Sequence, residues 1–324
     1  MQTISFRSMN SQMLACLDDD GQRAARRLAE VPGWFECWEQ RLSRFRTDSE
    51  LNHINQRGQD AVVVSAVMGN VLRAARLSQR ESGGLVDPLV LPALEATGYD
   101  RSFEQMVVGD GRTDANDTPA LRTTVQVYRV SHAGLLELPA GARLDLGGVA
   151  KGWAADRSAH RLGKLAPALV DAGGDIAVSG PQADGSPWPV GVNDPHAPDQ
   201  SLDLVLLSRG GVATSGRDYR RWLQGGVAQH HIIDPRTGQP ARTDVLTATV
   251  IGPSARAAEA AAKTALIYGS WHGLAWLEQR PHLAGLLVLE EGDVLRTQNW
   301  ISYTFCGLPQ FPETLEAASI RKNR

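Results

Sequence analysis

The stretch RLDLGGVAKGWAADR, residues 143–157, sets an acid, two glycines and a lysine before a segment of helical character. Glycines at the start of a helix let the backbone approach a ligand, and the free N–H groups and the helix dipole favour an anion. We therefore expect residues 142–147 to form a strand that ends near Asp145, and Lys151 to help bind a phosphate in the first helical turn. A plain strand-to-helix turn with a satisfied aspartate explains the same residues, because short glycine motifs match by chance.

The composition is that of a globular protein: 324 residues, 42% hydrophobic and 21% charged, with a formal net charge of −3. This length suits one large domain or two closely packed ones, and we expect a single domain over residues 1–324. The weak negative charge provides no basic field for nucleic acid or an anionic membrane surface. We therefore expect no nucleic-acid partner and no membrane partner.

The cysteines indicate a reducing compartment. Cys16, Cys37 and Cys306 are odd in number and form no CxxC pair, which excludes a disulfide framework and a cysteine zinc site. No run of apolar residues reaches the length of a membrane span, and no signal segment is recognisable. The expected location is the cytoplasm.

Strand-like and helical segments alternate along the chain, and many short strands joined by turns with a few long helices predict an α+β fold with largely antiparallel sheet. The second half contains most of the strand candidates, a hairpin whose turn carries Gly292, and an alanine-rich helix. The predictions for the first half are a strand over residues 3–19, a helix over 21–45 interrupted near Pro32 and Gly33, a helix over 64–84, irregular structure over 87–100 and a polar loop over 109–118.

Three further stretches combine polar turns with strand ends. DAGGDIAVSG (residues 171–180) brings two acids around a tight turn, and ATSGRDYRRW (213–222) leads from a strand into a basic, aromatic segment. HHIIDPRTGQP (230–240) combines two histidines, an acid before proline and a Thr-Gly turn. Each alone is explained by turn chemistry, a helix cap or a core histidine. Their order and spacing together are far more specific.

Taken with DLGGVAKGWAADR, these stretches resemble the successive blocks of the ApbE-like FAD:protein FMN transferases. SMNSQM is similar to the Met-Gly-Thr block of that family, with Asn10 and Ser11 in place of Gly-Thr. LSRFRTDSELNHIN and SGGLVDPLV resemble two further blocks, so the likeness runs from about Met9 to Trp300. The resemblance implies an α+β fold around an elongated FAD cleft. It also implies Mg²⁺-assisted transfer of FMN from FAD to a threonine or serine hydroxyl of a target protein, with release of AMP.

The resemblance also implies roles for individual residues. Phe45 would stack on a ring of the flavin, Asp87 would hydrogen-bond the flavin or ribose side, and His231 and Asp234 would be the candidates for proton transfer. For three of the implied contacts, a place in the hydrophobic core is an equal explanation: Leu85, Val86 and Ile233. The full set of implied FAD contacts is Met9, Phe45, Leu85, Val86, Asp87, Asp145, Lys151 and Ile233.

The implied metal site departs from the family pattern. The family places an aspartate and, four residues later, a threonine on the alanine-rich helix, together with a backbone carbonyl that corresponds to Gly148. Here Glu259 and Lys263 take the two side-chain positions, and Thr264 is turned off that face. A lysine ammonium repels Mg²⁺, and an ordinary i, i+4 helix pair is the alternative explanation.

Three functions are therefore open at the level of the sequence. The first is an active flavin transferase with an altered metal site. The second is an FAD-binding protein without transferase activity. The third is an FAD pyrophosphatase that yields FMN and AMP. We expect FAD binding to be largely insensitive to EDTA and transferase activity to be weak or absent.

Overall fold

An eight-stranded antiparallel sheet forms the centre of the computed structural model, which describes residues 1–57, 61–106 and 127–304. The α-helices are Gln22–Ala29 (α1), Val31–Leu42 (α2), Glu50–Arg57 (α3), Ala66–Glu81 (α4), Leu91–Ala96 (α5), Ala150–Leu162 (α6) and Ala255–Glu278 (α7). The strands are Gln2–Ser8 (β1), Ser11–Leu17 (β2), Val62–Val63 (β3), Arg129–Val130 (β4), Leu135–Glu137 (β5), Ala168–Ala172 (β6), Asp175–Val178 (β7), Trp188–Asn193 (β8), Ser201–Leu207 (β9), Gly210–Gly216 (β10), Arg221–Gln224 (β11), Val227–His230 (β12), Ile233–Asp234 (β13), Gln239–Pro240 (β14), Val245–Gly252 (β15), Ala284–Leu289 (β16) and Val294–Arg296 (β17). The predicted loop over residues 109–118 and Cys306 lie outside the described residues.

The central sheet has the order β1-β2-β6-β7-β10-β15-β16-β17, and every neighbouring pair is antiparallel. The predicted α+β class with largely antiparallel sheet is therefore confirmed. The predicted hairpin near the end of the described chain is also present, as β16 and β17.

Other elements pack on both faces of this sheet. Alternate residues of a strand point to opposite faces, so neighbouring residues join different cores. On β6, Val170 packs into the core beneath α6 and the N-terminal helices, whereas the adjacent Leu169 packs with the β8–β9 hairpin and Trp300. Helix α7 packs on β10 and β15. The sheet thus holds α6 and α7 side by side on one face.

Two element predictions were right in part. Residues 3–19 form two strands, not one: β1 and β2 pair with Ser8 opposite Ser11, and Met9 and Asn10 form the two-residue turn with φ of 49° and 54°. Positive φ at both turn positions matches the right-handed twist of a hairpin. The helix predicted over residues 21–45 is interrupted, but at Glu30, between α1 and α2; Pro32 and Gly33 lie in the first turn of α2.

Two other predictions were wrong. Residues 142–147 form no strand. The backbone N–H of Asp145 donates one hydrogen bond to the carbonyl of Pro88, and a single bond of this kind is not a β-ladder. Residues 87–100 are not irregular throughout, because they contain α5. Its Pro92 lies in the first helical turn, where a missing N–H costs nothing, so the proline does not break the helix.

Helices α6 and α7 approach each other closely at Gly152. A Cβ added there would lie 2.9 Å from backbone atoms of Arg256 and from the carboxylate of Glu259. The Asp156 side chain of α6 also accepts the N–H groups of Ala255 and Arg256, at 2.8 and 3.1 Å, and so caps α7. These contacts fix the first turns of the two helices against each other.

Candidate functional site

Charged side chains converge where α6 and α7 meet. Lys151, in the first turn of α6, forms an ion pair with Asp175, which begins β7 directly after a turn of two glycines with positive φ. Glu259 of α7 accepts the N–H of Gly152 at 3.2 Å through Oε2. Asp175 and Glu259 are both buried.

Lys263 lies one helical turn beyond Glu259 and reaches the glycine segment. Its Nζ donates to the carbonyl oxygen of Gly148 at 3.2 Å and lies 3.9 Å from Oε1 of Glu259. Thr264 is fully buried, and its hydroxyl donates to the carbonyl of Ala260 at 2.7 Å within the helix. As expected from the helical spacing, this threonine does not face the cluster.

The burial of these charges shifts their pKa values. Burial raises the pKa of Glu259 to about 7 and the negative charge of Asp175 adds to the increase, while Lys263 and Lys151 oppose it. Burial disfavours the charge of Lys151, but Asp175 outweighs this and raises the lysine pKa. Glu259 is therefore the group of this cluster whose charge changes near neutral pH.

These residues do not fit the Mg²⁺ site that the resemblance implies. Mg²⁺ requires oxygen ligands in a tight octahedron, and the ammonium of Lys263 already contacts the Gly148 carbonyl that would be one of them. Among the described residues, no three His, Cys, Asp or Glu side chains are grouped so as to hold a metal. We derive no chemical step through a metal ion.

A second cluster surrounds Arg44 and Asp145. The Arg44 guanidinium donates to the Asp145 carboxylate, with Nε 2.8 Å from Oδ2, and lies over the rings of Phe45 and Tyr99, with Cζ 4.2 and 4.5 Å from the ring centroids. The Tyr99 ring in turn packs on Trp222, with centroids 5.3 Å apart. Nη2 of Arg44 is buried and has no hydrogen-bond partner in the described chain.

The segment between Asp145 and Gly148 joins the two clusters, since Asp145 contacts Arg44 and Gly148 contacts Lys263. We expected the backbone N–H groups of this segment to be free to bind an anion. The N–H of Gly147 is not free, because it donates to the Asp145 carboxylate at 2.9 Å. This aspartate is satisfied, in agreement with the alternative explanation of the motif.

The other predicted contact residues divide between the aromatic cluster and the core. Ile233 packs in one apolar cluster with Phe45, Tyr99 and Trp222. Met9 lies in the β1–β2 turn, where its N–H donates to Oε2 of Glu39 at 2.8 Å.

The three residues of the SGGLVDPLV segment are buried. Leu85 and Val86 pack into two separate apolar clusters. Asp87 is buried too; its Oδ1 accepts the amide of Gln79 at 3.0 Å and the N–H of Leu89 at 2.9 Å. These contacts hold the turn between α4 and α5.

His231 and Asp234 have different surroundings. Nδ1 of His231 is buried and has no hydrogen-bond partner in the described chain. Burial lowers its pKa well below the usual value, and the positive charges of Arg220 and Lys263 lower it further. The Asp234 carboxylate accepts two hydrogen bonds from Arg236 Nε and Nη2, at 2.9 and 2.8 Å. His231 is therefore a neutral imidazole whose buried Nδ1 has no partner in the described chain, and the Asp234 carboxylate is engaged by Arg236.

Comparisons with known proteins identify the family of the chain. The sequence profile of the ApbE family matches residues 9–287. The chain belongs to the ApbE family. It is 33% identical over 285 residues to an FAD:protein FMN transferase of Treponema pallidum, covering 82% of this chain and 77% of that protein. It is 27% identical to an FAD:protein FMN transferase of Salmonella typhimurium, covering 88% and 83%.

Solved structures agree with the ApbE fold. The crystal structure of the ApbE protein from Thermotoga maritima superposes with a TM-score of 0.80 at 25% identity and covers 94% of this chain and 99% of that one. The flavinyl transferase ApbE of Pseudomonas stutzeri, in its apo form, has a TM-score of 0.76 at 23% identity and covers 95% and 98%. The second likeness supports the fold alone. No helix of the described residues combines the length and hydrophobicity needed to cross a bilayer.

The sequence analysis of this ApbE chain missed five residues of the candidate site: Arg44, Tyr99, Asp175, Arg220 and Trp222. Three of them lie in stretches that the sequence marked as polar turns. Arg44 and Tyr99 carried no such mark, because nothing in a sequence shows that a guanidinium will lie over the ring of a residue 55 positions away.

Proposed function

We propose that the chain transfers FMN from FAD to a threonine or serine hydroxyl of a protein acceptor and releases AMP. The relatives named FAD:protein FMN transferase support the activity. The observation that carries the proposal in this chain is the joining of an aromatic cluster to a cationic one by the segment between Asp145 and Gly148. FAD has the same two parts, an aromatic ring system and a pyrophosphate.

In this proposal the flavin ring lies against the aromatic cluster. Phe45, Tyr99 and Trp222 offer stacking surfaces, and Ile233 packs beside them. The free Nη2 of the buried Arg44 is a donor for a carbonyl of the flavin. Leu85, Val86, Asp87 and Met9 remain predicted contacts of FAD in this proposal; Leu85 and Val86 pack in other apolar clusters than the aromatic one.

The pyrophosphate lies over the start of α6, where Lys151 and Lys263 supply positive charge. The acceptor hydroxyl oxygen attacks the phosphorus of the FMN half, the bond from that phosphorus to the bridging oxygen breaks, and AMP leaves with the bridging oxygen. His231 accepts the hydroxyl proton, because it is neutral and its Nδ1 is unpartnered in the described chain. The negative charge of bound FAD opposes the cations that depress the pKa of His231, and so strengthens it as a base.

Asp234 has a positioning role in this scheme. Its carboxylate is engaged by Arg236, and its backbone carbonyl accepts the N–H of Gly238 at 2.8 Å, which orders the turn after His231. No step here uses Mg²⁺, since Lys263 occupies the carbonyl at its implied site. The proposal includes a single domain and a cytoplasmic location, consistent with the free thiols of Cys16 and Cys37.

The purified protein, incubated with FAD and an extract of its own source cells, tests the activity. We expect an acceptor band that keeps flavin fluorescence after denaturing electrophoresis, with AMP formed in proportion. The His231→Gln variant should lose the band while binding FAD as the parent does, which separates proton transfer from substrate binding.

The same incubation distinguishes the other candidate functions. Free FMN and AMP formed without any acceptor band would identify a pyrophosphatase and refute the transferase. Bound but unchanged FAD, with no labelled band in any extract fraction, would leave an FAD-binding protein. Recovery of the intact protein from the membrane or periplasmic fraction would contradict the location.

A further inference from the structure

Two lysines contact groups at the start of α6 and the neighbouring strand, and each keeps hydrogen-bonding capacity. Lys151 contacts Asp175, and Lys263 contacts the Gly148 carbonyl. Arg220, in the turn between β10 and β11, has no hydrogen bond or ion pair with any described residue. It lies close enough to Lys151 and His231 to affect the pKa of both.

Lys263 has N–H donors that are not used within the protein. An ammonium has three N–H donors, and the carbonyl of Gly148 accepts one of them. The Glu259 carboxylate lies 3.9 Å away, which is an ion pair but too long for a hydrogen bond. The side chain is 18% exposed, so its remaining donors reach a ligand only on the open side of the cluster.

We propose that Lys263 takes the place of a divalent cation in this site, so that the protein binds the pyrophosphate of a dinucleotide directly through the ammonium and without metal. Gly148 and Glu259 hold the ammonium at the segment that follows Asp145. Arg220 and Lys151 complete a cationic pocket for an uncomplexed diphosphate. This inference rests on the proposed function and specifies how that site recognises its substrate.

The physical argument compares the two kinds of cation. A free dication must be captured from solution and must find several oxygen ligands in one geometry. A lysine is a point charge that binds phosphate through its own donors, and here the carbonyl and the carboxylate already orient it. A metal at the same position would place two positive charges beside the ammonium. Binding of Mg²⁺ and the contact between Lys263 and Gly148 are therefore mutually exclusive.

Equilibrium titration of FAD and of ADP tests the inference, each in excess EDTA and in excess MgCl₂. We expect the same affinity in both conditions. Lys263→Met should weaken both ligands by about 10- to 100-fold, the effect of losing a charged hydrogen bond. Lys164→Met, which removes an exposed lysine after α6, is the matched control and should leave both affinities unchanged.

The outcomes separate this inference from the proposed function. FAD binding that appears only with MgCl₂ would overturn the role of Lys263 and leave the transferase proposal standing. Absence of FAD binding in both conditions would refute the FAD site itself. Undiminished binding by a folded Lys263→Met variant, checked by its thermal unfolding, would also overturn the inference, and the EDTA comparison on the parent protein requires no variant.

Discussion

Replacement of the buried Glu259 by glutamine should stabilise the protein at neutral pH. It should have no effect on stability at pH values below 4.5. In the folded protein the pKa of this carboxyl is raised to about 7 from its ordinary 4.5, chiefly by burial. Each pKa unit corresponds to about 1.36 kcal/mol, so ionised Glu259 destabilises the folded state by about 3 kcal/mol. Glutamine keeps the acceptor for the Gly152 N–H and cannot ionise.

The sign follows from proton binding. Below pH 4.5 the carboxyl is protonated in both the folded and the unfolded state, so the variant and the parent should be equally stable. Between pH 4.5 and about 7 the unfolded state loses its proton first, and the parent loses stability relative to the variant. Above about pH 7 the difference in unfolding free energy should reach a plateau of about 3 kcal/mol in favour of Glu259→Gln.

Urea unfolding of both proteins over this pH range measures the difference directly. Glu291→Gln, at an exposed position after β16, is the control for removing a carboxylate and should change the unfolding free energy little. A Glu259→Gln variant that is less stable than the parent at pH 8, or a difference independent of pH, would refute the reasoning.

Three other predictions concern neighbouring features. Gly152→Ala should lower the unfolding free energy by about 1–3 kcal/mol because its Cβ would clash with α7. Gly33→Ala, in open space on α2, should raise the unfolding free energy by about 0.5–1 kcal/mol. Equal effects of the two substitutions in urea unfolding would contradict this prediction. The double change Lys263→Thr with Glu259→Asp should make FAD binding dependent on Mg²⁺, and calorimetric titration that shows no metal effect would count against it. Arg44→Met should cost about 3–5 kcal/mol by leaving a largely buried carboxylate without its cation, and a loss below 1 kcal/mol in urea would rule that out.

The fold class was predictable because periodicity and turn residues agree over most of the chain. The alanine-rich helix, the interrupted helix at Glu30 and the strands of the second half follow from such local patterns. The prediction failed where local patterns were weak or misleading. Pro92 looked like a helix breaker but occupies a permitted position, and residues 142–147 have strand character without a neighbouring strand to pair with.

The site was predictable only where residues lie together in one motif. Lys151 in the first turn of α6 and the shared face of Glu259 and Lys263 follow from helix geometry. The contact of Lys263 with Gly148 joins residues far apart in the chain. The stacking of Arg44 on Tyr99 also joins residues far apart in the chain. Such contacts depend on tertiary packing that no single stretch of sequence specifies.

The pairing of β2 with β6 has a consequence for biosynthesis. Met13 pairs with Ala172, so the ribosome completes the N-terminal hairpin well before it makes the strand against which that hairpin must dock. At about 5–20 residues per second, the delay is on the order of 10–30 s. During this time the helices α1 and α2, which contact the hairpin in the folded protein, are already available to pack on it. The free edge of β2 therefore joins the central sheet late, and a nascent chain released before β6 appears would expose this unpaired strand to aggregation.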